Sequence, residues 1–161
     1  MRHTRIDRIL YMSAAIAVVL ATASVTWAKV NRRPPSMYVP GERFGPVPEL
    51  SLPEGGDTLV AWIDSRCGAC TASMPFYSRL TALAKHTQVV LLGREPAGDL
   101  RDYASAYDVK PAHIVSVGDL PLKFAGTPTL VLVGPDAVVR AVWFGRRETI
   151  EQEAEVIARI K

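Results

Sequence analysis

A chain of 161 residues that is 48% apolar favours one folded domain over two. The net charge of +3 is unevenly placed, because residues 1–44 carry seven Lys/Arg against Asp7 and Glu42 while residues 45–161 carry twelve Lys/Arg against fourteen Asp/Glu. The first part is thus at +5 and the second at −2, and a chain whose larger part has no basic stripe argues against nucleic acid as a partner.

Residues 9–28 are 20 consecutive positions without a charge. As a helix they would be about 30 Å long, matching the hydrocarbon core of a bilayer. Arg2, Arg5 and Arg8 precede them as a basic lead-in, and the block shows no polar face at helical period. Two readings stand: a cleaved secretory signal, with Thr26-Trp27-Ala28 as a small-x-small cleavage site, or a retained single-pass anchor. Length favours the anchor. No cysteine follows the block, which excludes lipoprotein processing. Lys29, Arg32 and Arg33 nearly balance the arginines in front, so charge alone barely orients the span. Residues 1–30 are therefore expected to be a signal anchor or transmembrane segment. Residues 31–49, with Pro34, Pro35, Pro40, Pro46, Pro48, Gly41 and Gly45 and no hydrophobic period, read as a stiff extended tether. A folded domain would then occupy residues 50–161.

Within that domain, residues 58–63 form a short continuous apolar run, the pattern of a buried parallel strand. A helix is expected from the Cys67-Gly68-Ala69-Cys70 motif to about His86, with Met74, Tyr77, Leu80 and Leu83 or Ala84 on its apolar face and a kink at Pro75. Residues 88–92 repeat the buried-strand pattern. Asp99 is placed to cap a short helix ending near Tyr107, and residues 112–117 read as a third strand. Residues 129–133, a Gly134-Pro-Asp-Ala137 turn and residues 138–143 form a hairpin. The last helix, residues 149–160, would bury Ile150, Ala154, Ile157 and Ala158, with Glu148 and Glu151 at its start and Arg159 and Lys161 at its end. Strand–helix alternation followed by a hairpin implies an α/β fold: a mixed sheet, parallel at its centre with an antiparallel edge, flanked by helices.

Cys67 and Cys70 are the only cysteines. They sit three residues apart, after a buried strand and at the start of a helix. One helical turn brings two such sulfurs within bonding reach. The first lies at the helix N-terminus, where free N–H groups and the dipole favour a thiolate. Gly68 leaves that sulfur open to another protein's disulfide. The pattern fits thiol–disulfide exchange, with Cys67 attacking and Cys70 resolving the mixed disulfide. Arg66 could favour the thiolate and contact an acidic substrate, or it could simply cover apolar surface. Zinc would need more ligands than His3, His86 and His113 readily supply. A structural disulfide would close too small a loop to stabilise much, and haem attachment would require histidine where Thr71 stands.

The strand, the Cys-x-x-Cys motif, a helix with Pro75 five residues past Cys70, and Thr127-Pro128 before the hairpin together resemble the thioredoxin superfamily. The run from Cys67 through Thr71, Ala72, Ser73 and Met74 to Pro75 is similar to membrane-anchored TlpA/ResA-type thioredoxins. It is also similar to the thioredoxin-like protein of methylamine-utilisation clusters. The likeness covers residues 45–161. It implies a thioredoxin-like fold, a redox-active Cys67–Cys70 pair with no metal or organic cofactor, and Pro128 as a cis-proline facing that pair. Thr127 would offer backbone groups to a bound peptide, and residues 93–120 would be the element this subfamily adds to minimal thioredoxin. It further implies a substrate cysteine pair or disulfide on an exported protein, a membrane thiol electron donor, the reductase direction, and a domain facing the periplasm from the bacterial cytoplasmic membrane.

The chain departs from that pattern at Ser73, where TlpA/ResA-type proteins usually carry Glu, and at Ala61, where thioredoxin carries a buried acid. Arg66 replaces the tryptophan that usually precedes the motif, and the strand pair before the first core strand is reduced to residues 48–56. Asp64 is the substitute proton acceptor, or a solvated loop residue. The same Asp64 stands where a thiol peroxidase would need threonine. Two other classes remain: a copper-binding assembly module, for which His113 is the one distal histidine available, and a non-catalytic adaptor of the same fold.

Overall fold

The computed structural model describes residues 37–160. The expected anchor, residues 1–30, lies outside them. Five strands form one sheet in the order β3-β2-β1-β4-β5: β1 Thr58–Trp62, β2 Gln88–Gly93, β3 His113–Ser116, β4 Thr129–Val133 and β5 Val139–Phe144. β1 is central and fully buried. It pairs parallel with β2 and antiparallel with β4, while β2–β3 is parallel and β4–β5 antiparallel. Among the described residues three helices accompany the sheet: α1 Gly68–Leu83, α2 Ala97–Ala106 and α3 Ile150–Ile160.

The period of two along each strand divides the interior into two cores. Leu59, Ala61 and Ile63 face one of them with Leu91, Leu130 and Leu132, and every helix contributes: Met74, Tyr77 and Leu80 from α1, Leu100 and Ala104 from α2, Val156 and Ile160 from α3. Val60, Trp62, Val90, Leu92, Val131 and Val133 face the other core, whose remaining buried members are Tyr38, Phe44, Val47, Val115, Val117 and Val139.

That second core corrects the expected tether. Tyr38, Phe44 and Val47 are buried, and Arg43 bridges Val138 at the sheet edge. Residues 37–49 are thus part of the folded domain, which does not begin at residue 50. The prolines and glycines do keep this segment extended. Its aromatic side chains nevertheless cover a sheet face that no helical residue reaches among the described ones, and burying them outweighs the missing period. Tyr38, Phe44 and Phe124 pack edge-on or tilted at 4.9–6.4 Å between ring centroids.

Smaller corrections follow the same reasoning. α1 continues through Pro75 and ends at Leu83, with Leu83 itself exposed. Pro96 occupies the N-cap of α2, and Asp99 lies in its first turn rather than at the cap. On α3 the buried residues are Val156 and Ile160, while Ile150, Ala154 and Ala158 are exposed. Val and Ile offer more apolar area than the two alanines. The rotation also brings Glu153 to Arg79 of α1.

Candidate active site

The C-terminal end of β1 delivers the chain into residues 63–66 and then α1. Cys67 takes the N-cap position, with φ −86° and ψ 111°. Its Sγ accepts the Cys70 backbone N–H at 3.2 Å, so a sulfur does the work that a Ser or Asp oxygen does at most helix starts. Cys67 is half-buried and Cys70 fully buried; both are free thiols.

Their acidities diverge. Burial acts to raise the Cys67 pKa, but hydrogen bonds from the Cys70 and Thr127 side chains and the Cys70 and Ala69 backbone outweigh it, and the net shift is downward. Cys70 is pushed up to about 12, first by burial and next by its bond to Cys67, against a backbone hydrogen bond from Asp64. One proton shared between the sulfurs thus stays on Cys70 and leaves Cys67 the better anion.

The Thr127–Pro128 peptide is cis. The Cys67 thiol lies 3.6 Å from the Thr127 carbonyl oxygen. Pro128 is buried beneath, and its carbonyl accepts the Gly145 N–H at 2.8 Å. Asp64, Arg66, Cys67 and Thr127, four residues singled out from sequence, line one shallow depression of about 380 Å³. Gly68 is exposed beside it, with nothing within 4 Å of where a Cβ would stand. Its bareness therefore relieves no contact inside this chain.

Arg66 is tied to Asp64: its backbone N–H donates to Oδ1 at 2.8 Å, and Nε and Nη2 approach the two carboxylate oxygens at 3.4 Å. The hydrogen bonds of the Asp64 carboxylate thus go to Arg66 rather than to either sulfur. Ser73 is buried and donates to the Ala69 carbonyl at 2.8 Å, within its own helix. His113 is exposed at the start of β3, two strands from β1.

Three contacts escaped the sequence reading. The Glu95 carboxylate accepts the Ser65 backbone N–H at 3.1 Å and also the Ser65 hydroxyl, tying the loop after β2 to the loop that carries Cys67. The Tyr103 hydroxyl lies 3.0 Å from Thr71 Oγ1, bracing α1 one residue past Cys70. Tyr77 is buried close enough to Cys70 for that sulfur's charge to hold the phenol protonated, after burial itself. A signal for Glu95 was present, since parallel strands send their following loops to the same edge of the sheet.

No family model matches the sequence, and no curated protein matches it either. Solved structures do. A secreted Mycobacterium tuberculosis disulfide oxidoreductase, described as homologous to E. coli DsbE, aligns with TM-score 0.51 at 17% identity over 66% of this chain and 81% of that one. StoA from Bacillus subtilis aligns with TM-score 0.54 at 14% identity over 66% and 83%. A peroxiredoxin-like protein from Aquifex aeolicus aligns with TM-score 0.59 at 6% identity over 78% and 89%. The chain has a thioredoxin-like fold. Identities this low speak to architecture alone, and chemistry must be argued from the two sulfurs and their surroundings.

Proposed function

We propose that this chain is a thiol–disulfide oxidoreductase that reduces disulfides of exported proteins from a membrane-anchored position outside the cytoplasm. The observation that carries the reading is the inequality of the two thiols: one at an open helix start with lowered pKa, the other buried behind it with its pKa near 12. The Cys67 thiolate attacks one sulfur of the substrate disulfide. The substrate S–S bond breaks, a mixed disulfide forms and one substrate thiolate leaves. Cys70 then loses its proton and attacks Cys67 Sγ, which releases the second substrate thiolate. The protein ends with a Cys67–Cys70 disulfide and the substrate has gained two electrons; one of its thiolates takes up the Cys70 proton and the other is protonated from solvent, which had received the Cys67 proton on ionisation. Neither metal nor organic cofactor enters this exchange.

Thr127 would pair its backbone with an extended substrate segment over Pro128, and exposed Gly68 would let that segment approach. Arg66 would border it, and Asp64, held by Arg66 rather than by either sulfur, would order the turn. Export is supported by the 20-residue uncharged block at residues 9–28 and by the secreted character of the mycobacterial neighbour. The reductase direction rests on the resemblance of the motif, and a dithiol donor in the membrane would restore the reduced pair. His113, exposed two strands away from β1, gives the copper-module reading no support.

Turbidimetric reduction of insulin by the reduced protein tests the activity. Wild type should precipitate insulin and Cys67→Ala should not; equal rates would leave only an adaptor role. The equilibrium potential of the pair tests the direction. A value near about −270 mV agrees with a reductase, and one near about −120 mV would identify an oxidant.

A further inference from the structure

Beside the depression that holds Cys67 is a second, more enclosed cleft of about 310 Å³, whose lining includes Trp62, Asp64, Arg94, Phe124 and Thr127. Asp64 and Thr127 belong to both. The two are therefore neighbouring compartments of one groove that runs from the Cys67 sulfur across the Thr127 backbone.

The cleft has an apolar wall. Trp62 and Phe124 stack with centroids 4.8 Å apart and planes within 5°, and Trp62 is itself buried. Its polar element is Arg94, an exposed residue whose guanidinium carbon lies 5.9 Å from the Trp62 ring centroid. An arginine aligned over an aromatic face keeps its N–H edges free to bind a carboxylate side-on. Among the described residues the nearby acids are otherwise engaged: Asp64 by Arg66 and Glu95 by Ser65. No ion pair of Arg94 is found among these residues. The groove thus offers an apolar wall for methylene groups and, at its mouth, a positioned cation without a carboxylate partner.

We propose that this cleft is a specificity subsite for an acidic side chain, glutamate above all, flanking the reacting cysteine of the substrate polypeptide. The side chain's methylenes lie on Phe124 while its carboxylate meets Arg94. The inference rests on Cys67 being the attacking thiol.

The test compares three synthetic peptides, each with one intramolecular disulfide and identical except for Glu, Gln or Lys on both sides of the attacked cysteine. An uncharged small disulfide, hydroxyethyl disulfide, serves as control. Arg94 is exposed, which places its carboxylate pairing in the modest range of surface ion pairs. Wild type should therefore favour the Glu over the Gln peptide by about threefold to fivefold in kcat/KM at low salt, with the Lys peptide slowest and the spread shrinking at high salt. Arg94→Gln should erase the Glu preference and keep the rate on hydroxyethyl disulfide, whereas Arg94→Lys should retain part of it. A wild type indifferent to the flanking charge, or a preference that survives Arg94→Gln, overturns the subsite while leaving the exchange reading intact. A wild type inert toward hydroxyethyl disulfide as well overturns the exchange reading and this inference with it.

Discussion

Two sulfurs three residues apart share one turn of helix, yet they inhabit different chemistries. Cys67 occupies the N-cap, faces solvent across a shallow depression and accepts hydrogen bonds that favour its anion. Cys70 sits one turn inside, fully buried against the helical core, where a charge is costly. The difference comes from where β1 ends: the chain leaves the C-terminal rim of the sheet, so Gly68 and Ala69 are exposed while Cys70, the third residue of α1, already belongs to the core with Ala61 and Tyr77. A short motif acquires directionality from the fold that carries it.

The largest blow to that inequality is deletion of its outer member. Cys67→Ala should lower insulin reduction by at least about 1,000-fold, since no second sulfur can attack from the surface. Cys70→Ala should instead leave the first attack intact and stop there, so a covalent adduct at Cys67 accumulates and is visible by mass spectrometry of quenched samples. Equal trapping by both single variants would erase the distinction.

The inequality also shapes stability. Below the ordinary thiol pKa of 9.0 and above the lowered pKa of Cys67, the folded reduced protein holds a thiolate that the unfolded chain still protonates, so stability rises with pH in that window. Between 9.0 and about 12 the unfolded chain ionises Cys70's thiol while the folded protein does not, and stability falls as pH rises. Denaturant melts of the reduced protein should thus pass through a maximum near pH 9, and Cys70→Ala should remove the alkaline loss assigned to it.

Support of the outer sulfur can be weakened more gently. Glu95→Gln replaces the carboxylate that receives Ser65 and should cost about 1–2 kcal/mol, read in urea melts, because charge-assisted bonds become neutral ones. Smaller still is Asp64→Asn. Its carboxylate is engaged by an arginine whose side chain is 84% exposed, so reduction should slow by less than about threefold. A drop of 100-fold would give Asp64 the proton-acceptor role after all.

Much of this arrangement was legible in the residues. The apolar run at 58–62, the motif behind it and the hairpin from Thr129 each carry a pattern that one segment fixes alone. What stayed hidden depends on partners distant in sequence. Tyr38 and Phe44 have no period and stand among prolines, and only the sheet face they cover explains their burial. Ile150, Ala154 and Ala158 read as the buried face of the last helix, whereas the face that meets the core carries Val156 and Ile160. Glu95 and Arg94 follow β2 without any motif; parallel pairing with β1 brings their loop beside the active turn.

The central claim is that Cys67 is the ionised, attacking thiol and Cys70 the silent one. Iodoacetamide labelling of the reduced protein across pH, with each cysteine quantified by peptide mass spectrometry, measures this most directly. The account predicts that Cys67 is alkylated with an inflection below the ordinary 9.0, while Cys70 in the folded protein stays unlabelled until about pH 12. Labelling of Cys70 first, or a common inflection for both, would contradict it.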